Sequence, residues 1–173
     1  MRIGVDIMGS DHGPAVPVRG AVLAQRELPA DVRLVLLGDP EAIAKGLAAE
    51  GADPALFEVV PSRDDITMKD SATKALQTKP ESSIARGFHL LKEGGLDAFA
   101  STGNTGAMLV GSIFSVKPIP GVFRPCITSI VPKENGSFGV LLDVGANADC
   151  KPDVLHQFGL LGSLLAQHVF HIE

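Results

Sequence analysis

The chain has no tryptophan and no tyrosine, and it contains only two cysteines in 173 residues. Tryptophan and tyrosine are the residues that most often dominate binding hot spots. Their absence argues against a surface built on large aromatic side chains and favours a small or flexible ligand. The cysteines, Cys126 and Cys150, lack the spacing of a metal site, so a reduced, cytoplasmic setting is the simplest interpretation.

Other absences limit where the protein can act. No run of about 18 apolar residues is present, so no membrane span is expected, and Asp6 and Asp11 interrupt any signal-type core near the start. The net charge is -5 and there is no Lys/Arg-rich run, which argues against binding to nucleic acid. With 45% apolar residues, the chain can form one α/β domain over residues 1–173, or one domain with part of a second lobe from about residue 120.

Predicted strands and helices alternate along the chain. Strands are expected at 2–7, 32–37, 57–60, 97–101, 126–131 and 138–142, and helices at 14–27, 40–51, 82–93, 103–114 and 152–170. This alternation predicts an α/β fold with an open, mostly parallel sheet and helices on both faces.

Two segments fall outside that alternation. Residues 61–80 are rich in charge and poor in apolar side chains, which predicts an exposed excursion or mobile flap. Residues 117–125 are rich in proline and glycine, which is typical of a surface connection; a domain hinge is the alternative.

The first candidate site is the segment Ser101-Thr-Gly-Asn-Thr-Gly106, between a predicted strand and a predicted helix. Its glycines favour a tight turn, and its polar side chains can join the free amides of a helix start in binding an anion. The candidates are Ser101, Thr102, Gly103, Asn104 and Thr105. The alternative is a structural turn in which a serine or threonine caps the helix. The segment has neither a P-loop nor a dinucleotide fingerprint.

The second candidate site is the segment from Asp143 to Pro152. Lys151 can pair with a phosphoryl oxygen, and Asn147 can donate to a developing oxyanion. Asp143 or Asp149 can orient such groups or accept a proton, and Gly145 lies in the same loop. The alternatives are local: Asp149 caps the following helix, Lys151 is solvated, and Cys150 is a structural residue rather than a nucleophile.

Two further groups complete the set of candidates. The segment from Asp6 to Pro14 also follows a strand, and its candidate ligands are Asp6, Gly9, Asp11 and His12. Lys79 and Ser82 flank the start of a predicted helix, where a phosphate contact competes with simple capping and solvation. Carboxylates at these strand ends could collect Mg²⁺, but their spacing does not require it, and no metal site is assigned.

Together these motifs resemble the PlsX family of acyl-carrier-protein:phosphate acyltransferases. The matching segments are 6–14, 79–84, 101–107, 124–125, 141–152 and 157–162. The resemblance runs from the first residue nearly to the last, and it corresponds to only the N-terminal half of the family.

The resemblance implies transfer of a long-chain acyl group from acyl carrier protein to inorganic phosphate, giving acyl phosphate for phospholipid synthesis. It implies a fold similar to that of isocitrate dehydrogenase and phosphotransacetylase, no cofactor, a homodimer, and a cytoplasmic enzyme that associates peripherally with the membrane. Under it, Asn104, Asp143, Asn147 and Lys151 are the catalytic candidates, and the other candidates bind substrate or phosphate.

Two departures from the family pattern keep other functions open. Ser10 stands where the family usually has a second glycine after Gly9. The chain is also about half as long as the family, so a cleft between two lobes would be incomplete. The alternatives are a noncatalytic fragment that binds phosphate or carrier protein, and a CoA-dependent enzyme similar to phosphotransacetylase. An NAD-linked dehydrogenase is disfavoured because no cofactor fingerprint is present.

Overall fold

The computed structural model describes residues 1–172. Its strands are β1 (Arg2–Asp6), β2 (Arg33–Gly38), β3 (Phe57–Pro61), β4 (Ala98–Ala100), β5 (Thr128–Pro132) and β6 (Phe138–Leu142). Its α-helices are α1 (Ala15–Glu27), α2 (Pro40–Ala49), α3 (Ala72–Thr78), α4 (Ser83–Lys92), α5 (Thr105–Ser115) and α6 (Pro152–His168). The chain divides into two compact units, Met1–Lys117 and the part from Pro118 onward. Among residues 1–172, no helix is long and apolar enough to cross a membrane.

The first unit is built on a four-stranded parallel sheet in the order β3-β2-β1-β4. The continuous apolar run of β2 explains why both faces of the sheet are covered. Leu34 and Leu36 belong to the core beneath α1 and α2, whereas Val35 and Leu37 pack with Leu96 on the other face. Parallel strands buried on both faces require such a run. The predicted parallel sheet with helices on both faces is therefore confirmed.

Local signals in the sequence fix the bounds of α2. The Asp39 carboxylate accepts a hydrogen bond from the Glu41 backbone amide at 3.1 Å, and Pro40 occupies the first turn. Gly51 follows the helix at a φ of 61°, the left-handed conformation that glycine adopts with least strain. The helix begins where the sequence predicts and ends two residues before the predicted end.

Most of residues 61–80 are exposed, as their charge predicts, but the segment is anchored in the core of the first unit. The segment contains α3 and contributes Ile66 and Ala75, which are 4% and 3% exposed, to a core shared with Phe88 and Ala107. The two buried apolar side chains anchor a segment whose other side chains mostly face solvent.

The second unit contains a β-hairpin that forms a two-stranded sheet of its own. β5 and β6 pair antiparallel, with Pro132 opposite Phe138, and α6 packs against β6. The intervening five residues are too few for the crossover of a dozen or more that parallel strands need. A Cβ on Gly162 would lie 2.7 Å from Leu142 Cδ1, so this glycine permits close contact between helix and hairpin.

Candidate functional site

The strand order places a topological switch point between β1 and β4. β1 pairs with β2 on one side and with β4 on the other. The helix after β1 lies with α2 on one face, and the helix after β4 packs against α4 on the opposite face. In open α/β sheets the ligand crevice lies outside the carboxyl ends of the strands at this point. The loops after β1 and β4 are thus the best-placed part of the first unit for a ligand.

Asp6 joins these two loops. Its side chain is buried, and one carboxylate oxygen accepts hydrogen bonds from the amides of Met8 (2.9 Å) and Gly9 (3.1 Å). The other oxygen accepts a hydrogen bond from Ser101 Oγ at 2.6 Å, and Ser101 Oγ in turn accepts one from the Gly103 amide at 2.9 Å. Asp6 and Ser101 therefore orient the loops, and their polar atoms are already engaged.

Gly9 and Gly103 allow the two loops to touch backbone to backbone. A Cβ on Gly9 would collide with the Asp6 carboxylate and lie 2.7 Å from Gly103 Cα. A Cβ on Gly103 would lie 3.0 Å from Gly9 Cα. Close approach explains why both positions are glycine.

Asn104 serves a structural role that the sequence did not predict. Its carbonyl oxygen accepts a hydrogen bond from the Ala107 amide at 2.9 Å and caps α5. Its amide nitrogen donates to the backbone carbonyls of Thr67 (2.9 Å) and Asp70 (3.2 Å). Asn104 is 7% exposed, so it links α5 to residues 67–70 from a buried position. A direct contact with substrate stays a prediction.

Lys79 and Ser82 are also engaged within the protein. Lys79 Nζ donates to Asp70 Oδ2 at 2.8 Å and to the Asp65 carbonyl at 2.7 Å. Ser82 is fully buried and accepts a hydrogen bond from the Ala85 amide at 3.3 Å. Ser82 thus matches the capping alternative, and its burial leaves no surface for a ligand.

Near the start of α5, Thr102 and Thr105 have side chains that are accessible to a ligand. Both residues are exposed, and among residues 1–172 their hydroxyls and the first-turn amides of Thr105 and Gly106 have no hydrogen-bond partner. The α5 start lies beside the α3 start, since a Cβ on Gly106 would be 3.1 Å from Ala72 Cβ. Free amides at a helix start attract anions.

A groove of about 380 Å³ lies beside this region, between the loop after β1 and residues 65–69. Ser10, Asp11, Asp65 and Lys69 are among its lining residues. Partial burial and the negative charge of Asp6 raise the pKa of Asp65, although Lys79 opposes the shift. His12 is exposed, outside the lining of the groove, and its amide donates to Ser10 Oγ at 3.2 Å. With two carboxylates and one ammonium group, the groove is less suited to a phosphate than the start of α5.

In the second unit, Asp143 organises its own loop. Its carboxylate accepts hydrogen bonds from the amides of Asn147 (2.8 Å), Ala146 (3.2 Å) and Ile127 (3.3 Å). Gly145 has a φ of 110°, which favours glycine. The Asn147 side chain donates to the Pro125 carbonyl at 3.0 Å. Asp143, Gly145 and Asn147 are therefore brought together in one loop, and a catalytic role for Asp143 stays a prediction.

Lys151 and the two cysteines complete this cluster. Lys151 is exposed at the N-cap of α6 and makes no side-chain cap, and the side chain of Asp149 does not cap this helix either. Burial and the charge of Asp143 raise the pKa of the Cys126 thiol, which disfavours a nucleophilic role. Cys126 and Cys150 are both free and half-buried.

The carboxylate of Asp143 should titrate below its ordinary value of 3.8. Partial desolvation raises its pKa, but the hydrogen bonds from Asn147, Ile127 and Ala146 together outweigh that effect and lower it. Ionised Asp143 therefore stabilises the folded unit above about pH 3.9, and this stabilisation is lost as the pH falls toward the folded pKa. A ¹³C carboxyl NMR titration should give a midpoint below 3.8; a midpoint at or above 3.8 would contradict the assignment.

Comparison with known proteins identifies the family. The family model described as fatty acid synthesis protein matches residues 1–173, the full length of the chain. The chain belongs to the fatty acid synthesis protein family. The resemblance inferred from the motifs is confirmed.

Relatives within the fatty acid synthesis protein family carry a more specific name. The phosphate acyltransferase of Desulforudis audaxviator is 43% identical over 173 residues, which cover 99% of this chain and 49% of that protein. The phosphate acyltransferase of Geobacter sulfurreducens is 39% identical and is covered to 49% of its length. The chain thus spans about half the length of these curated relatives.

Solved structures confirm the fold of this family member. A phosphotransacetylase from Streptococcus pyogenes superposes with a TM-score of 0.73 at 21% identity, covering 99% of this chain and 55% of that one. The EutD phosphotransacetylase from Staphylococcus aureus gives a TM-score of 0.64 at 16% identity, covering 95% and 52%. The predicted similarity to the phosphotransacetylase fold is confirmed.

Two residues beside the first site, Thr67 and Asp70, lie outside the motifs that the sequence marks. The Thr67 amide and hydroxyl donate to Asp70 Oδ2 at 2.7 and 3.0 Å. A threonine followed three residues later by an aspartate, just before a helix, is the signal that could have indicated this turn.

Proposed function

We propose that this chain carries the phosphate-binding part of an acyltransferase that transfers a long-chain acyl group from acyl carrier protein to inorganic phosphate. The observation that carries the proposal is the junction at Asp6. It fixes the loops after β1 and β4 at the switch point of the sheet, in a chain whose relatives are phosphate acyltransferases. The product is acyl phosphate, a precursor in phospholipid synthesis.

Phosphate is assigned to the start of α5. The exposed hydroxyls of Thr102 and Thr105 and the amides of Thr105 and Gly106 donate hydrogen bonds to it. Asp6, Gly9, Ser101 and Gly103 hold this surface in place through the loop junction. Fixing the nucleophile against the thioester carbonyl supplies the positional part of catalysis.

As phosphate attacks the thioester carbonyl, negative charge develops on the carbonyl oxygen. Asn147 and Lys151 are assigned to stabilise that charge, and Asp143 to orient their loop. The proton of the attacking phosphate ends on the thiolate released when the carbon–sulfur bond breaks. A homodimer, a cytoplasmic location and peripheral association with the membrane belong to the same proposal.

Two other functions have specific support. One is a noncatalytic fragment that binds phosphate or carrier protein, and its support is that Asp6, Asn104 and Lys79 are engaged within the protein. The phosphotransacetylase fold favours an enzyme that uses CoA thioesters. Parallel assays with palmitoyl-carrier protein and palmitoyl-CoA distinguish the three functions.

The phosphate assignment predicts the effect of removing the two open hydroxyls. The double variant Thr102→Val/Thr105→Val should form acyl phosphate at about one tenth of the original rate or less, because two hydrogen bonds to a charged group are lost. Acyl phosphate is trapped with hydroxylamine, and reactions without phosphate correct for direct reaction of the thioester.

Thr78→Val is the matched control, since the Thr78 hydroxyl donates to the Lys74 carbonyl at the far end of α3. Equal rates in the double variant and the control would contradict the phosphate assignment. A folded parent chain that binds phosphate but forms no product would instead favour the noncatalytic function. Asn104→Ala is a poorer test because Asn104 caps α5.

A further inference from the structure

Residues 65–70 are held against the start of α5 by polar contacts rather than by secondary structure. Asn104 donates to the carbonyls of Thr67 and Asp70 at 2.9 and 3.2 Å. Ile66, 4% exposed, anchors the same segment in the core. The segment thereby borders both the groove and the surface assigned to phosphate.

Asp70 is the centre of these contacts. One carboxylate oxygen, Oδ2, accepts hydrogen bonds from the Thr67 amide (2.7 Å), the Thr67 hydroxyl (3.0 Å) and Lys79 Nζ (2.8 Å). Lys79 Nζ also donates to the Asp65 carbonyl at 2.7 Å, so one ammonium group ties together both ends of the segment. Neither end can move without breaking a charge-assisted hydrogen bond.

The same contacts favour the ionised form of the Asp70 carboxylate. Hydrogen bonds from Lys79 and Thr67 lower its pKa to about 2. The groups that face this carboxylate are the Lys79 ammonium and the Thr67 amide and hydroxyl.

We propose that Asp70 is a positioning residue that, through Lys79 and Thr67, holds residues 65–70 against the Asn104 cap and so sets the phosphate-binding surface at the start of α5. In this arrangement Lys79 acts through Asp70 and does not itself bind phosphate. The inference rests on the proposed function, because phosphate is the ligand whose binding it concerns.

The direction in which Asp70→Asn changes phosphate affinity distinguishes a positioning role from a purely electrostatic effect of the Asp70 charge. Replacing an aspartate near a phosphate by asparagine removes a negative charge, and by electrostatics alone this strengthens anion binding. If Asp70 positions the surface, Asp70→Asn weakens phosphate binding about fivefold, because a hydrogen-bonded carboxylate is lost. Asp64→Asn is the matched control: it makes the same charge change at the exposed residue just before the segment, and the Asp64 side chain has no hydrogen bond within residues 1–172.

The experiment uses the 173-residue chain and inorganic phosphate as the ligand. Affinity is measured by ³¹P NMR titration, and the mobility of residues 65–70 by hydrogen-exchange mass spectrometry. Asp70→Asn and Lys79→Met should each weaken phosphate binding about fivefold and speed exchange in residues 65–70, and the double variant should be little worse than either alone. Lys79→Arg, which keeps the positive charge, should restore both readouts.

Three results would overturn the inference. They are phosphate binding by Asp70→Asn that equals or exceeds that of the parent, unchanged exchange in residues 65–70, and a loss of binding in Lys79→Met that Asp70→Asn does not share. The last result would assign Lys79 to direct phosphate contact. A parent chain that binds no phosphate would refute the proposed function instead, and the exchange comparison would still decide whether Asp70 holds the segment.

Discussion

Replacing Asp6 with alanine should lower the free energy of unfolding by about 3 kcal/mol, because the change leaves the Met8 and Gly9 amides and the Ser101 hydroxyl without their acceptor. That is a large share of the 5–15 kcal/mol typical of a domain. The same change should abolish phosphate binding, since the loops after β1 and β4 lose their common anchor. Because the chain has no tryptophan or tyrosine, unfolding in urea is best followed by far-ultraviolet circular dichroism.

Asp39→Ala is the control for this prediction. Asp39 also accepts a backbone hydrogen bond, from Glu41 at 3.1 Å, but it is an exposed helix cap. Its loss should destabilise by about 1 kcal/mol and leave phosphate binding unchanged. If Asp6→Ala were no more destabilising than Asp39→Ala, Asp6 would not be the anchor of the two loops.

The second large effect is expected from Gly9→Ala. The new methyl group would collide with the Asp6 carboxylate and approach Gly103 Cα to 2.7 Å, so one backbone must move. Overpacking of this kind costs about 1–3 kcal/mol. Movement of either backbone disturbs the contact with the loop after β4, which carries Ser101 and Gly103 and leads to the start of α5. We therefore expect phosphate affinity, measured by ³¹P NMR titration, to fall at least about tenfold.

Gly20→Ala provides a control of opposite sign. Gly20 lies within α1, and a Cβ there would meet nothing within 4 Å. Alanine should therefore stabilise the helix by about 0.5–1 kcal/mol through its better helix propensity and leave phosphate binding unchanged. A Gly9→Ala variant that matched the parent in stability and phosphate binding would show that the two loops can separate without consequence.

Much of the fold could be predicted because its signals are local. The apolar run of β2, the Asp39-Pro40 start of α2 and Gly51 after its end each act within a few residues. Most of residues 61–80 are exposed as predicted, but their anchoring could not be predicted because it depends on a distant core. Ile66 and Ala75 are buried only by packing against residues such as Phe88 and Ala107.

The sequence motifs indicated candidate residues for the site but not the contacts that those residues make. The motif segments marked Asp6, Ser101 and Asn104, and the structure joins Asp6 to Ser101 across 95 positions of the chain. Their side chains are engaged with the protein itself, which a motif cannot show. No motif indicates Asp70, because its contacts depend on three donors that converge on one carboxylate oxygen in the folded chain.

The sequence by itself determined the family, the alternation of strands and helices, and the loops that carry polar residues, since each depends on short-range pattern and residue type. The tertiary structure decided which polar groups remain open to a ligand. Asp6, Asn104, Lys79 and Ser82 are engaged in loop junctions, caps and an ion pair, whereas Thr102 and Thr105 are exposed. The physical reason is that buried polar atoms must find partners within the protein, and those partners are set by packing between segments far apart in the chain.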